Sequence, residues 1–511
     1  MSRLSKRSTR SWPDVDSQPT PQLDDDRESV LKGLLITGLG HLINVFEPLL
    51  TLLLVRLTGA AVWGLFLLAE SIGYAATRLA SVGLDRGLMW DTARSRDGDA
   101  YRVRGLQGAL VIGAALGLSV ATLGQLALPW LVGDIFEAPE ALDAARVILW
   151  TTPISVAVSI LIFTAQGLQS VVPRVAVQQI TVPLITRGFP LALLLWPTDL
   201  AAPQTLIAIG HMLGNLAALG VSIVLLKRRM TQANATLAPD SFWPPKAVLH
   251  YSAPAGLSEL LSTMMVRVDV WMLAAFMDAS AVGLYGVILS LSKALRTLRH
   301  AFTPVVTPIM SEATHRGETA RIQRAFGQSV FLMTCLAAPL LVALWTFSEP
   351  LLGLYGSEFS AGSWPLVVLC LGTLIHVVAG LASTIVAGAG RADLMLLNQV
   401  LPIALNVGMN LWLIPAYGVL GAALATASSL TVMSLLELAF ARRIVGAKLA
   451  EWGVLEPLIM SAASAGLGWL FAGLLSPSAD PLRDRLAVLG VFTLLFTMWL
   501  LTRGRRRLRG A

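Results

Sequence analysis

The sequence predicts an all-α membrane protein that crosses the bilayer many times. Hydrophobic residues make up 55% of the 511 residues and charged residues only 14%, whereas a typical soluble domain carries about 25% charged residues. The apolar residues come in blocks that match the roughly 20 residues a helix needs to span about 30 Å of hydrocarbon. Positive charge also alternates between successive loops. Together these observations predict a polytopic bundle of transmembrane helices.

Fourteen apolar blocks are predicted to span the membrane, each separated from the next by a short polar segment. They cover residues 33–57, 62–84, 105–129, 147–169, 175–196, 204–226, 252–276, 282–305, 326–347, 364–386, 394–414, 418–440, 455–475 and 485–502. The segment 1–29 is rich in Ser, Pro and charge, which predicts a disordered cytoplasmic tail. Residues 503–511 form a second, basic cytoplasmic tail.

The distribution of Lys and Arg predicts the orientation of these spans. Loops on one side hold 28 of the 38 Lys and Arg residues, loops on the other side hold four, and six lie inside spans. Basic loops stay in the cytoplasm. We therefore expect a multi-pass membrane protein with both termini in the cytoplasm.

An internal repeat divides the chain into two similar halves. The stretch AVWGLFLLAESI at 61–72 resembles SAVGLYGVILSLS at 280–292, with an offset of 219 residues between Gly64 and Gly283. Six spans separate the two copies, an even number, so the halves run in the same direction. Such parallel repeats are related by an axis along the membrane normal.

This repeat predicts the division of the chain into lobes that surround a central cleft. The predicted units are an N-terminal six-helix lobe at 33–226, a C-terminal six-helix lobe at 252–441 and two additional transmembrane helices at 455–502. The loops between spans are too short to hold a folded domain, so any function must be carried by the helices.

Motifs typical of enzymes are absent from the sequence. It contains no Walker A loop, no HExxH and no GxSxG, the patterns of common nucleotide-binding, metalloprotease and hydrolase sites. Cys335 and Cys370 lie in apolar blocks and form no CxxC pair, so neither a disulfide nor a zinc site is expected. We predict no enzymatic activity, no cofactor, no metal site and no nucleic-acid partner.

Charged residues inside the spans are the main functional signal, because one basic residue at the centre of a span costs about 2.5–3.5 kcal/mol on insertion scales. Such residues usually face a bundle interior or a wet cavity. Structural pairing between neighbouring helices is one alternative, and snorkelling to the interface is another for Arg299, Asp269 and Glu437. The basic set comprises Arg78, Arg187, Arg267, Lys293, Arg296 and Arg299, and the acidic set Glu47, Glu70, Glu259 and Asp269.

The basic members of this set suggest an anion-binding site in the central cleft. They outnumber the deep acids, and Lys293, Arg296 and His300 share one helix face. Arg78 and Arg296 lie at nearly the same depth of corresponding helices, since an offset of 219 places Arg78 beside Arg296. A guanidinium fork suits phosphate in particular.

Four segments of the chain form a recognisable series. They are LASVGLDRGLMW (79–90), VRVDVWMLAAFMDASAVGLYG (266–286), LLGLYGSEFSAGSWPLVVL (351–369) and LNVGMNLWLIPAYGVLGAALATASS (405–429). In this order they resemble the Wzx-type (O-antigen) polysaccharide flippases of the multidrug/oligosaccharidyl-lipid/polysaccharide (MOP) exporter superfamily. One departure is Trp90, where relatives often carry a basic residue.

This resemblance implies a transporter that moves an undecaprenyl-pyrophosphate-linked oligosaccharide across the cytoplasmic membrane for lipopolysaccharide or other surface polysaccharide biosynthesis. It implies alternating access between two rocking lobes, with membrane lipids around the polyprenyl tail and with a polysaccharide polymerase and chain-length proteins as candidate partners. Coupling to an ion gradient is implied by analogy, and Glu70, Glu259 and Asp269 are the candidates for protonation, because a low-dielectric cleft disfavours a charged carboxylate.

Three alternatives stay open at this point. A peptidoglycan-precursor flippase of the same superfamily would also carry a basic cavity. A multidrug or cation antiporter would favour acids and aromatic residues in its cleft. A membrane polymerase or glycosyltransferase is disfavoured, because it would need a sizeable outer loop or a catalytic acidic motif on a loop.

Overall fold

The computed structural model describes residues 46–97, 100–195, 201–238, 241–389, 391–445, 455–475 and 481–504. The predicted tail 1–29, the start of the first span at 33–45 and the segment 505–511 of the basic tail lie outside these described residues.

Almost all described residues are helical, as the sequence predicts. The first half of the chain contains α1 (Phe46–Ser81), α2 (Leu84–Arg94), α3 (Leu106–Leu128), α4 (Leu142–Trp150), α5 (Thr152–Gly167), α6 (Val172–Arg174), α7 (Val182–Leu194) and α8 (Pro203–Gln232), with π-helical turns at Pro129–Ile135 and Val175–Thr181 and a 3₁₀ turn at Pro139–Ala141.

The second half is built in the same way. It contains α9 (Lys246–Phe276), α10 (Ala279–His315), α11 (Thr319–Thr346), α12 (Ser348–Gly353), α13 (Ser363–Ala379), α14 (Ala382–Gly388), α15 (Ala392–Tyr417), α16 (Val419–Val445), α17 (Leu455–Leu475) and α18 (Pro481–Trp499), with a 3₁₀ turn at Ser357–Gly362 and a π-helical turn at Leu500–Gly504.

Every predicted span falls on a helix in the part of the chain that the structure describes. Within that part, nine helices are long and apolar enough to cross a membrane, or ten when the bent pair Pro139–Trp150 and Thr152–Gly167 counts as one span. The count is below fourteen partly because Glu47–Ser81 merges two predicted spans. Three other predicted spans are helical but are not among these ten: 175–196, 252–276 and 455–475.

Two of these three spans deviate for identifiable reasons. The span at 175–196 begins with the π-helical turn Val175–Thr181, which interrupts the regular helix. The span at 252–276 contains Glu259, Arg267 and Asp269, whose charges lower its hydropathy. In α1, Gly59 separates the two merged spans with a φ of 80°, a conformation that glycine adopts without steric cost.

A small sheet ties together loops on the predicted cytoplasmic side. Its strands are β1 (Arg96–Asp97), β2 (Ala100–Val103) and β3 (Thr236–Leu237), in the order β1-β2-β3. β1 pairs with β2 in antiparallel register and β2 pairs with β3 in parallel register. The loop after α8 is therefore fixed against the loop that precedes α3.

The closest approach between the two halves obeys the repeat. A Cβ atom added to Gly64 would collide with the backbone of Ala279 and Gly283, and one added to Gly283 would collide with the backbone of Ala60 and Gly64. Ala60 and Ala279 are separated by the same 219 residues as Gly64 and Gly283. The contact is therefore reciprocal, as a two-fold axis between α1 and α10 requires.

Further contacts define how the halves and the added helices pack. α1 packs against α9 as well as α10, and α2 packs against α9. We call this surface, formed by α1 and α2 on one side and by α9 and α10 on the other, the lobe interface. α17 and α18 pack against each other and against α11, with an apolar cluster that includes Phe331, Phe492 and Trp499. The added helices are thus peripheral to the lobe interface.

We predict that Gly283→Leu separates α1 from α10 and lowers the thermal stability of the purified protein, because the backbone of Ala60 occupies the space of the new side chain. Overpacking of a close contact typically costs about 1–3 kcal/mol or more. Gly408→Leu is the matched control, since no atom lies within 4 Å of a Cβ at that position. Equal melting temperatures for the two variants would contradict the close contact.

Candidate functional site at the lobe interface

Ion pairs connect the two halves across the lobe interface. The carboxylate of Glu70 in α1 lies 3.6 Å from Arg187 of α7 and 3.5 Å from Arg267 of α9. One acid therefore neutralises a guanidinium from its own half and one from the opposite half. Beside this pair, the Trp271 indole donates a hydrogen bond of 2.7 Å to the Ser71 hydroxyl.

Aromatic rings complete the surroundings of these two arginines. The Arg187 guanidinium lies 5.1 Å from the ring of Trp63 and 5.3 Å from the ring of Phe66. The Arg267 guanidinium lies 4.4 Å from the ring of Tyr74. Cation–π contacts of this kind stabilise a partly desolvated guanidinium.

A second cluster joins the ends of α1 and α2 to α9. Arg78 lies 3.5 Å from Asp85 and 3.6 Å from Glu259, and Arg86 lies 3.0 Å from Glu259. Asp85 is buried and also accepts a hydrogen bond of 2.7 Å from the Ser159 hydroxyl. Asp85 and Arg86 were not among the predicted site residues, although both belong to the segment LDRG, which carried part of the family resemblance.

The stretch of α10 with the predicted basic face has two different environments. Lys293 pairs at 3.2 Å with Glu47, an acid on α1. Arg296 instead donates a hydrogen bond of 3.3 Å to the Leu289 carbonyl, and no carboxylate of the described residues is within ion-pair distance of it. The negative partner of Lys293 is therefore internal, whereas Asp269, which acts on Arg296 electrostatically, makes no direct ion pair with it. The side chain of His300 is not described.

Arg299 lies apart from the lobe interface. Its guanidinium contacts the His376 ring and donates hydrogen bonds to the Gly380 carbonyl at 2.9 Å and to the Ser383 hydroxyl at 3.1 Å. A Cβ at Gly380 would collide with the guanidinium, so glycine is needed for this approach. These contacts connect α10 to α13 and α14 and indicate a structural role within the C-terminal half.

Asp269 is buried and is held by neutral partners. Its carboxylate accepts hydrogen bonds from the Tyr285 hydroxyl and the Asn410 amide, each at 2.7 Å, and from the Thr426 hydroxyl. Asn406 joins the cluster through a contact of 3.1 Å with Asn410. These partners of Asp269 were not predicted, although Asn406 and Asn410 form the Asn-x-x-x-Asn pattern of α15.

Snorkelling does not explain Asp269 or Glu437. Both side chains are buried, and the Glu437 carboxylate accepts a hydrogen bond of 3.0 Å from Asn398. Snorkelling would place the charged group in the wet interface, which this burial contradicts. Asp269 and Glu437 are instead parts of polar clusters within the C-terminal half.

The predicted excess of basic residues is smaller than the sequence indicated. Four of the six predicted basic residues have carboxylate partners among the described residues, and one of these partners, Asp85, was not anticipated. Among the predicted acids, Glu70 and Glu259 each face two arginines. The paired basic residues are Arg78, Arg187, Arg267 and Lys293.

We predict that Glu70→Gln lowers the thermal stability of the purified protein, because Arg187 and Arg267 would lose their shared counter-charge. Removal of one partner from a buried ion pair costs on the order of 3–5 kcal/mol. Glu318→Gln is the matched control, because the Glu318 pair with Arg321 lies at the surface, where an ion pair contributes about 0–1 kcal/mol. A melting temperature for Glu70→Gln as high as that of the control would show that Glu70 is not the shared counter-ion.

Comparisons with known proteins bear on the family and the fold of the chain. Residues 254–412 match the family MatE. The probable low-salt glycan biosynthesis flippase Agl15 of Haloferax volcanii is 23% identical over 249 residues, which cover 48% of the chain and 53% of that relative. The chain thus matches only about half the length of this curated relative.

Solved structures show the same fold at low sequence identity. The lipid II flippase MurJ in an inward closed conformation aligns with a TM-score of 0.63 at 14% identity, covering 91% of this chain and 98% of that one. An inward-facing multidrug resistance MATE family transporter aligns with a TM-score of 0.59 at 15% identity, covering 79% of this chain and 98% of that one.

The fold and the repeat thus agree with the resemblance found in the sequence. The family described as polysaccharide biosynthesis protein matches residues 30–314, which is more than half of the chain. The chain therefore belongs to the polysaccharide biosynthesis protein family, within the MOP exporter superfamily.

Proposed function

We propose that this protein is a flippase that moves a lipid-linked oligosaccharide, carried on undecaprenyl pyrophosphate, from the inner to the outer leaflet of the bacterial cytoplasmic membrane. The observation that carries the proposal is Arg296, a guanidinium on the lobe interface helix α10 that has no carboxylate partner among the described residues. Family membership supports the class of transporter, and the loop charge bias supports cytoplasmic termini.

Arg296 suits an anionic substrate for an electrostatic reason. Each of the basic residues Arg78, Arg267 and Lys293 at the lobe interface already has an acidic partner. An unmatched guanidinium inside a membrane protein is costly, and a bound anion would remove that cost. A pyrophosphate offers several oxygens in a geometry that a guanidinium binds through two parallel hydrogen bonds.

The ion pairs across the lobe interface supply a means of alternating access. Glu70–Arg267 and Arg78–Glu259 hold α1 against α9, and the Gly64–Gly283 contact holds α1 against α10. Opening of the interface would require these pairs to separate. A substrate phosphate that takes the place of a carboxylate at an arginine would keep the guanidinium paired while the lobes move.

We predict that Arg296→Gln impairs flipping and that Arg296→Lys impairs it less, because lysine keeps the charge but loses the bidentate geometry. Loss of one charge-assisted contact costs about 1.5–3 kcal/mol, or roughly ten- to a hundred-fold in affinity. The measurement is transport of a fluorescent undecaprenyl-pyrophosphate-linked oligosaccharide in proteoliposomes. Surface polysaccharide should fall in cells in parallel, while lipid-linked precursor accumulates on the inner leaflet.

Arg299→Gln provides the comparison for this experiment. Arg299 lies on the same helix but contacts His376, Gly380 and Ser383, so its loss should lower stability rather than substrate affinity. Wild-type transport by Arg296→Gln at normal protein levels would refute a substrate role for Arg296. Transport of a peptidoglycan precursor in preference to the oligosaccharide lipid would favour the sibling function instead.

We also propose Asp269 as the site of ion coupling, if a proton gradient drives the cycle. Glu70 and Glu259 each face two arginines, so protonation of either would leave guanidinium groups without their counter-charge. The partners of Asp269 are neutral hydroxyl and amide groups. Asp269 can therefore take up a proton without breaking an ion pair.

We predict that Asp269→Asn makes transport insensitive to an imposed proton gradient, because an amide cannot take up the proton. The wild-type protein should flip its substrate faster with the gradient than without it, and the variant should show one rate under both conditions. Glu437→Gln is the control, since Glu437 is another buried carboxyl of the C-terminal half, hydrogen-bonded to Asn398. A gradient response retained by Asp269→Asn would exclude Asp269 as the coupling residue.

We propose further that the transported oligosaccharide serves lipopolysaccharide O-antigen assembly or a related surface polysaccharide. A polymerase and chain-length proteins would then use the substrate on the outer face. Deletion of the gene should remove the surface polysaccharide, and a normal polysaccharide pattern in the deletion strain would refute this assignment.

A further inference from the structure

A polar cavity of about 350 Å³ lies inside the N-terminal half. Its walls come from α1, α5, α7, α8 and the π-helical turn before α7. The polar groups on these walls include the side chains of Thr77, Ser155, Ser159, His211 and Asn215. We call this space the N-lobe cavity. Arg78 lines one side of the cavity, and the other predicted basic residues are not among its lining residues in the described chain.

The N-lobe cavity ends at the lobe interface. Tyr74 and Arg78 both line it, and both also contact α9 of the opposite half. The ring of Tyr74 lies 4.4 Å from the Arg267 guanidinium, and Arg78 lies 3.6 Å from Glu259. A ligand held between the two halves could therefore extend into the N-lobe cavity past Tyr74 and Arg78.

The lining has the chemistry that saccharides require. Hydroxyl, amide and imidazole groups can both donate and accept hydrogen bonds, and Asn215 already accepts one of 2.9 Å from Ser155. Apolar walls from Val158, Ile162 and Val182 could face the C–H surface of a sugar ring. Arg78 is the one formally charged residue among those that line the cavity in the described chain. This composition disfavours a cationic ligand. It suits a ligand whose neutral part enters the cavity and whose anionic part lies beside Arg78.

The volume limits the ligand to a small unit. Pockets for small molecules usually measure about 300–1,000 Å³, so 350 Å³ is near the lower end. The cavity has room for a single sugar ring but not for a whole oligosaccharide. The remaining sugars would have to stay between the two halves.

We propose that the N-lobe cavity is the subsite for the first sugar of the lipid-linked substrate, while the phosphate that carries this sugar lies at the lobe interface against Arg78 and the second phosphate of the pyrophosphate is left for Arg296. This inference rests on the proposed flippase function and deepens it. It assigns sugar recognition to Ser155, His211 and Asn215, none of which belongs to the basic set.

The position of Arg78 links occupancy of this subsite to movement of the halves. Arg78 is shared between Asp85 of its own half and Glu259 of the other. A phosphate beside the cavity would compete with Glu259 for the Arg78 guanidinium. Asp85 belongs to the same half as Arg78, so the Arg78–Asp85 pair would persist. Substrate binding would thereby weaken one of the pairs that hold α1 to α9.

The test measures binding of three lipids to the full-length protein in lipid nanodiscs. The probes are undecaprenyl pyrophosphate and its two single-sugar derivatives that carry N-acetylglucosamine or galactose. Val182→Trp fills the cavity, and Asn215→Leu removes a polar group while it keeps the branched shape of the side chain. Leu184→Trp is the matched control, because Leu184 lies on the same helix and is 57% exposed on the outside of the protein.

We expect the wild-type protein to bind at least one single-sugar lipid more tightly than undecaprenyl pyrophosphate. Asn215→Leu should weaken binding of that lipid by about ten-fold, the effect of one lost hydrogen bond, and Val182→Trp should weaken it at least as much because it occupies the space of the sugar. Both variants should keep the wild-type affinity for undecaprenyl pyrophosphate, and Leu184→Trp should match the wild type for every probe. Thermal melting of each variant verifies that it is folded.

Several results would overturn the subsite. Equal wild-type affinities for all three lipids would refute it and leave the proposed function intact. The same holds if Val182→Trp and Asn215→Leu weaken binding of the sugar-free lipid as much as binding of the sugar-bearing lipids. Failure of the wild-type protein to bind any of the three would refute the subsite and the proposed function at once.

Discussion

The energetic cost of charge in a low-dielectric environment determines how the two halves of this protein meet. The charged residues of the spans could not remain in a bundle unless each found a partner or a polar surface. At the lobe interface the partners come largely from the opposite half, as Glu70 with Arg267 and Lys293 with Glu47 illustrate. The same pairs therefore satisfy buried charge and hold the halves together, so any separation of the halves must provide a substitute for them.

In the proposed flippase, specificity would come from the charges that the lobe interface leaves without a fixed partner. Broken ion pairs inside the protein are costly, and an incoming anion would lower that cost only where an arginine can exchange one oxygen ligand for another. Under this proposal the two such positions are Arg78, with two carboxylate partners, and Arg296, with none within ion-pair distance in the described chain.

Much of the fold could be predicted because membrane helices leave strong sequence signals, whereas the site could be predicted only in part. Apolar blocks and loop charge placed every span on a helix, and the 219-residue repeat aligned Gly64 with Gly283, which the structure brings into contact. The sequence also showed which spans carry charged residues. It could not assign their partners, because pairs such as Arg78 with Glu259 join residues 181 positions apart. The polar walls around His211 and Asn215 could not be predicted for a related reason: polar residues of α1, α5 and α8 form a cavity only after these helices pack together.

The charge balance differs between the two halves although their packing follows the repeat. Ala60 and Gly64 correspond to Ala279 and Gly283, and the backbone contact between them is reciprocal. The charges do not follow this symmetry, since an offset of 219 pairs Glu70 with Leu289. In the N-terminal half, Glu70 neutralises nearby guanidinium groups. In the C-terminal half, the residue at the corresponding position is apolar, and Arg296 donates a hydrogen bond to its backbone carbonyl. Two-fold packing thus gives the halves a common axis, while the arrangement of charges differs between them.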